Sequence, residues 1–149
     1  MIRVQKEDFD AGREIGAISA RNFEVGGVAS FIGLVRGANK ESQIIAMTLE
    51  HYPGMTEKIL FDLEAEARTR WRLEDLLIIH RYGRMTPGEQ IVLVITASAH
   101  REDALQSCQF LIDRLKIGAP FWKKEETPVG SHWVESKAED DIASERWQK

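Results

Sequence analysis

Five cationic side chains stand where this chain changes from one element to the next. Arg36 closes an apolar run and precedes the polar stretch Gly37-Ala38-Asn39-Lys40. His100 and Arg101 follow the most apolar segment, Ile91 to Ala99, and open a helical pattern. Anions bind well at a helix N-terminus, where free N–H groups and the dipole point outward. A cation there works against the helix dipole, so Arg101 looks more purposeful than an ordinary surface arginine, although a solvated side chain is the simpler reading. Lys116 falls in the last turn of the same pattern, where a lysine complements the dipole. Lys123 follows Pro120 in an alternating segment. Phe121, Lys123 and Glu125 share one face there, and Trp122, Lys124 and Glu126 the other. Together Arg36, His100, Arg101, Lys116 and Lys123 are candidates for an anion pocket. For each of them solvation or helix capping remains an open alternative.

Other chemistries are poorly supported. The histidines, His51, His80, His100 and His132, form no H-x-x-x-H or H-E-x-x-H pair. The single cysteine, Cys108, excludes an intrachain disulfide and a cysteine-based zinc site. Neither a G-x-S-x-G elbow nor a G-x-x-x-x-G-K-[ST] loop occurs. Phe31, Phe110, Phe121 and Trp122 are expected to be core rather than a stacking platform. The net charge of -4 does not suggest a nucleic-acid partner. With 43% hydrophobic and 30% charged residues, 149 residues suit one globular domain spanning 1–149. No apolar stretch approaches the ~20 residues of a membrane helix, and no secretory leader is apparent. The cytoplasm is the expected compartment.

The elements that must position these residues follow from the apolar periodicity. Residues 2–6 read as a short strand. Asp8 or Asp10 caps a helix with Ala11, Ile15 and Ile18 on one face. Strands are predicted at 28–36, 44–51 and 76–80. Between the last two, a helix over 54–71 stacks Met55, Ile59, Leu63 and Ala67. Thr86-Pro87-Gly88 is a turn, and 91–99 the expected central strand. The helix over 102–117 carries Leu105, Cys108, Ile112 and Leu115 on one face and ends at Gly118. Two short strands at 121–126 and 131–135 and a tail helix over 138–147 complete the chain. Strands and helices do not alternate strictly, so the expected class is α+β.

The same residues carry a family resemblance. Phe31-Ile32-Gly33-Leu34-Val35-Arg36, Leu49-Glu50-His51-Tyr52-Pro53-Gly54-Met55, His80-Arg81-Tyr82-Gly83, Ser98-Ala99-His100-Arg101 and Lys116 through Ala119-Pro120-Phe121-Trp122-Lys123-Lys124-Glu125 occur in that order. The chain closely resembles the large, catalytic subunits of molybdopterin synthase, the MoaE family, from about residue 28 to 135.

The resemblance implies an α/β-hammerhead fold with an additional small antiparallel sheet. It implies a homodimer flanked by two copies of a small ubiquitin-like sulfur carrier, a 2:2 heterotetramer. The carrier's C-terminal Gly-Gly thiocarboxylate delivers sulfur to cyclic pyranopterin monophosphate, also called precursor Z, and forms the dithiolene of molybdopterin. By resemblance Lys116 and Lys123 are catalytic. Leu34, Val35, Arg36, His100, Arg101, Lys116, Lys123, Lys124, Glu125 and Lys137 bind substrate. No metal or organic cofactor is implied. The chemistry suits the residues: a phosphate wants Arg and Lys donors. A thiocarboxylate is already a nucleophile, so the enzyme must position it and stabilise charge. Two positions depart from the family pattern. Lys137 stands where relatives often carry an arginine reaching across the dimer, and Gly118 replaces a bulkier or basic residue of some relatives. The alternative function is a non-catalytic paralogue that binds the carrier or a phosphorylated metabolite.

Overall fold

The computed structural model describes residues 1–134 and 138–148. In chain order its elements are β1 (Ile2–Gln5), α1 (Ala11–Ser19), β2 (Gly27–Leu34), β3 (Ala46–His51), α2 (Met55–Arg70), β4 (Asp75–Arg81), β5 (Gly83–Met85), β6 (Gln90–Ser98), α3 (Arg101–Gly118), β7 (Phe121–Thr127), β8 (Gly130–Val134) and α4 (Ala138–Glu145). The strands build two four-stranded sheets, ordered β1-β4-β6-β2 and β5-β3-β7-β8. Only β1 and β4 pair in parallel among the described strands. The class is α+β, as the element order suggested.

The first sheet is covered on both faces, which is why β4 and β6 read as nearly continuous apolar runs. Leu76, Ile78, Val92 and Val94 join Leu60, Leu63 and Ala67 of α2 and Phe110, Leu111 and Leu115 of α3. Leu77, Ile79, Leu93 and Ile95 pack against Ala11, Ile15 and Ile18 of α1. A third cluster, Val35, Met47, Leu49 and Met85, joins the two sheets. The lone thiol, Cys108, lies in the α3 core, and burial pushes its pKa up to about 11.

Asp10 is the cap of α1; its carboxylate accepts from the Arg13 N–H at 3.1 Å. The stripes of the two long helices are wider than expected. Leu63 and Ala67 are buried, but Met55 is half exposed, and Thr56 and Leu60 take the inner positions of α2. In α3, Leu105 is 61% exposed, while Ala104, Phe110 and Leu111 are buried. A strict four-residue step drifts ahead of the 3.6-residue turn, so the true face mixes three- and four-residue steps. β2 ends at Leu34 rather than Arg36, because its register against β6 shifts between Gly33 and Leu34. β5 was not anticipated. Among the described residues no helix is long and apolar enough to cross a membrane.

Candidate active site

Where α3 ends and the second sheet begins, a cavity of about 270 Å³ opens between the two sheets. Four elements bring polar side chains to it. The end of β2 supplies Leu34 and, just beyond, Arg36; the last turn of α3 supplies Lys116; β7 supplies Lys123; β4 supplies His80. The remaining wall is apolar and includes Met47, Leu49, Val92, Leu115 and Phe121. No described carboxylate lines it. Such a site attracts anions, and its apolar walls strengthen each charge–charge contact relative to water.

The strand geometry explains who faces inward. Residues of β7 alternate, so Phe121, Lys123 and Glu125 point to the cavity side and Trp122, Lys124 and Glu126 away from it. The β3–β7 ladder pairs Leu49 with Lys123 and Met47 with Glu125. On the outer face Lys124 lies over the Trp133 ring at 5.9 Å. Trp122 packs near Tyr52 at 5.9 Å between ring centroids.

The expected site residues therefore separate into groups. Leu34, Arg36, Lys116 and Lys123 come together at the cavity. Val35 is buried in the cluster between the sheets, on the opposite side of the chain from its neighbours. Lys124 is on the outer face. Glu125 is buried and accepts from Asn39 Nδ2 at 3.1 Å, so it holds the loop after β2 rather than lining the cavity. His100 and Arg101 are exposed at the other end of α3. Lys116 lies fifteen helical steps after Arg101, about 22 Å at 1.5 Å per residue. Within one chain they cannot share a ligand of pterin size. Lys137 lies outside the described residues.

The start of α3 is tightly built. A side chain at Gly26 would put a Cβ 2.1 Å from the Ala99 carbonyl oxygen, so only glycine fits there. The Gly26 N–H donates to the Ser98 carbonyl at 2.9 Å. His100 occupies the helix cap without a side-chain hydrogen bond to the helix. The first-turn N–H groups of α3 thus receive no cap from that side chain.

His80 was not assigned a role from sequence. It is buried, and its ring stacks on Phe121 with centroids 3.7 Å apart and planes 15° apart. Its Nδ1 donates to the Arg81 carbonyl at 2.9 Å. Burial, with smaller contributions from the nearby Lys116 and His51, holds its pKa down at about 4 against the Arg81 hydrogen bond, which raises it. The ring is neutral near pH 7. The motif His80-Arg81-Tyr82-Gly83 was visible, but nothing in its spacing told a cavity wall from a packed core.

A larger cavity of about 390 Å³ lies between α2, α3 and α4, lined by Leu60, Glu66, Arg114 and Ser144 among others. Its one cation, Arg114, is balanced by Glu66 at 3.4 Å and bonded to the Trp147 carbonyl at 3.1 Å. It lacks the three converging cations of the first. Among the described residues no group of His, Cys, Asp and Glu side chains is placed to hold a metal ion.

Known proteins resemble the chain over nearly its whole length. A family model described as "MoaE protein" matches residues 4–117. The chain is 51% identical over 148 residues to the molybdopterin synthase catalytic subunit of Pseudomonas aeruginosa, covering 99% of each. It is 47% identical over 146 residues to that of Escherichia coli, covering 98% of this chain and 97% of the relative. Among solved structures it is similar to the molybdopterin biosynthesis MoaE protein from Burkholderia ambifaria, with a TM-score of 0.85 and 50% identity over 100% of this chain and 98% of that one. A matched family model over most of the chain, near-full-length relatives and a shared fold leave one assignment: this chain belongs to the MoaE family.

Proposed function

We propose that this chain is the catalytic subunit of a molybdopterin synthase. As a sulfurtransferase it moves sulfur from the thiocarboxylated tail of a small carrier subunit to cyclic pyranopterin monophosphate. One observation carries the reading: Arg36, Lys116 and Lys123 converge on one cavity whose other walls are mostly apolar. A phosphorylated pterin and a thiocarboxylate are both anions, and both need such a site. Lys116 stands in the exposed last turn of α3, where an incoming tail can reach it, and polarises the acyl group. A Gly-Gly tail has no side chains to obstruct a narrow entry. The relatives' name, catalytic subunit, supports a second subunit as carrier. The reaction is assigned to the cytoplasm.

His100 and Arg101 join the substrate site through a second copy of this chain, since their own cavity is a helix length away. The edge strand β2 supports self-association. Its Val28, Phe31, Ile32 and Leu34 are each 37–52% exposed, an apolar edge that soluble proteins normally cover. Lys137 is assigned to the neighbouring copy's site on the resemblance alone.

A turnover assay with thiocarboxylated carrier and precursor Z tests the reading. Dithiolene product is expected. Binding of both partners without product would instead indicate a non-catalytic paralogue.

A further inference from the structure

Transfer of sulfur from a thiocarboxylate leaves a proton problem that the cations of this cavity do not solve. Once the carrier's sulfur has bonded to the substrate carbon, the carrier's carbonyl remains attached to that sulfur. Release requires water to attack the carbonyl carbon. The carbon–sulfur bond to the carrier breaks, and the sulfur keeps the electron pair as a thiolate. A new carbon–oxygen bond makes the carrier's carboxylic acid. Nothing is oxidised or reduced, but two protons of the water must leave. Arginine and charged lysine offer donors only. Arg36, Lys116 and Lys123 can stabilise the oxyanion and the thiolate, yet none of them in that state accepts a proton.

His80 is the remaining titratable side chain of the described cavity wall. Its orientation is fixed twice, by the stack on Phe121 and by the Nδ1 donation to the Arg81 carbonyl. That donation sets the tautomer: the proton sits on Nδ1, and Nε2 carries the lone pair. Nε2 makes no hydrogen bond among the described residues, and it is not a sealed, orphaned atom. On β4, His80 follows Leu76 and Ile78 on the face that meets α3. We propose that His80 is the general base of carrier release, its Nε2 taking the first proton from the attacking water while the second leaves the carboxylic acid for solvent.

The groups around the ring fit this role. Lys116 of α3, Arg36 beyond β2 and Lys123 of β7 are cationic, and His51 of β3 lies behind Phe121, with ring centroids 6.1 Å apart. Arg81 of β4 is turned to Asp8 and Glu89, at 4.0 and 3.5 Å. Burial first, and then the charges of Lys116 and His51, keep the ring unprotonated. A bound phosphate and thiocarboxylate offset them, so the ring becomes a stronger base when substrate and carrier are both present.

The inference rests on the sulfur-transfer reading above, and the test separates the two. Single turnovers are followed by intact mass with thiocarboxylated carrier and precursor Z. Wild-type protein that forms no carrier–sulfur–pterin adduct and no product overturns the sulfur-transfer reading and this inference with it. Given wild-type turnover, folded His80→Gln is expected to accumulate the adduct, with carrier release slowed ~10²–10⁴-fold. His80→Ala should stall likewise, and added imidazole should restore release. Release from His80→Gln at the wild-type rate, or a block before any adduct forms, overturns the assignment. Should neither variant fold, the wild-type pH profile decides. Release is expected to rise with pH along one protonation limb with a solvent deuterium isotope effect, and a flat profile overturns the proposal.

Discussion

Lys116 projects from the last turn of α3, and none of the core clusters uses it. Lys116→Ala should therefore unfold at nearly the wild-type temperature while losing at least ~10²-fold in molybdopterin formation. Circular dichroism and a turnover assay check both halves. Near-normal product from the folded variant would remove the lysine from the mechanism. His80 imposes a different signature at this scale. Its pKa is about 4 in the fold against 6.5 for the free side chain. Between those values the unfolded chain binds more protons than the native one. The stability this buried neutral ring gives is complete above pH 6.5 and lost as pH falls toward 4. At about 1.4 kcal/mol per unit the loss is on the order of 3 kcal/mol. Urea unfolding of wild type and His80→Gln at pH 7 and pH 4.5 should show a larger drop for wild type.

Elements decide which of the candidate cations meet. The sequence placed Arg36, Lys116 and Lys123 at element ends, but only the β3–β7 register and the packing of α3 on the first sheet carry them to one cavity. Alternation in β7 was legible and correctly put Lys123 and Lys124 on opposite faces. The parallel pairing of β1 with β4 was not legible, because it joins segments more than seventy residues apart. β5 has three residues, one of them glycine, too short for any period to register. The stripe of α2 holds at Leu63 and Ala67 but departs at its start, where Thr56 rather than Met55 is buried, for a polar reason. Its hydroxyl donates to the Tyr52 carbonyl at 2.8 Å, which hydrophobicity does not report. The start of α3 offers a prediction at this scale. Gly26→Ala would force a Cβ to 2.1 Å from the Ala99 carbonyl, so the backbone before Arg101 must move. A loss of about 1–3 kcal/mol in denaturant unfolding is expected. Weaker precursor Z binding should accompany it, and a neutral outcome would mean that the turn has slack.

At the scale of the assembly, the 22 Å of helix between Arg101 and Lys116 becomes a test of who completes whose site. Arg101→Ala should weaken precursor Z binding by about 1.5–3 kcal/mol and carrier binding less. Calorimetry with each ligand alone makes the comparison. If the second copy supplies Arg101, a mixed dimer of Arg101→Ala and Lys116→Ala chains contains one site with both residues intact. Mixing the two impaired proteins, at precursor Z too dilute to saturate Arg101→Ala, should then restore activity. No recovery in mixtures shown to exchange subunits would place both residues in one copy's site, against the geometry. Native mass measurement should give two copies of this chain and, with carrier, two of each. A persistent monomer or a 1:1 complex would contradict the two-fold arrangement.

The placement of Cys108 has a consequence for sulfur itself. An activated acyl sulfur can be intercepted by any accessible thiolate, because thiol exchange needs only a deprotonated sulfur within reach. This chain has a single thiol, sealed under α3 with its pKa pushed to about 11. On the sulfur-transfer reading the chain therefore offers no competing thiol to the carrier's tail: the sulfur in the described cavity wall is the Met47 thioether, which cannot exchange. The same sealing makes Cys108 a built-in clock. An alkylating reagent can reach it only when α3 lifts from the sheet, so the labelling rate of untouched wild-type protein reports how often that helix, and with it Lys116, leaves its place.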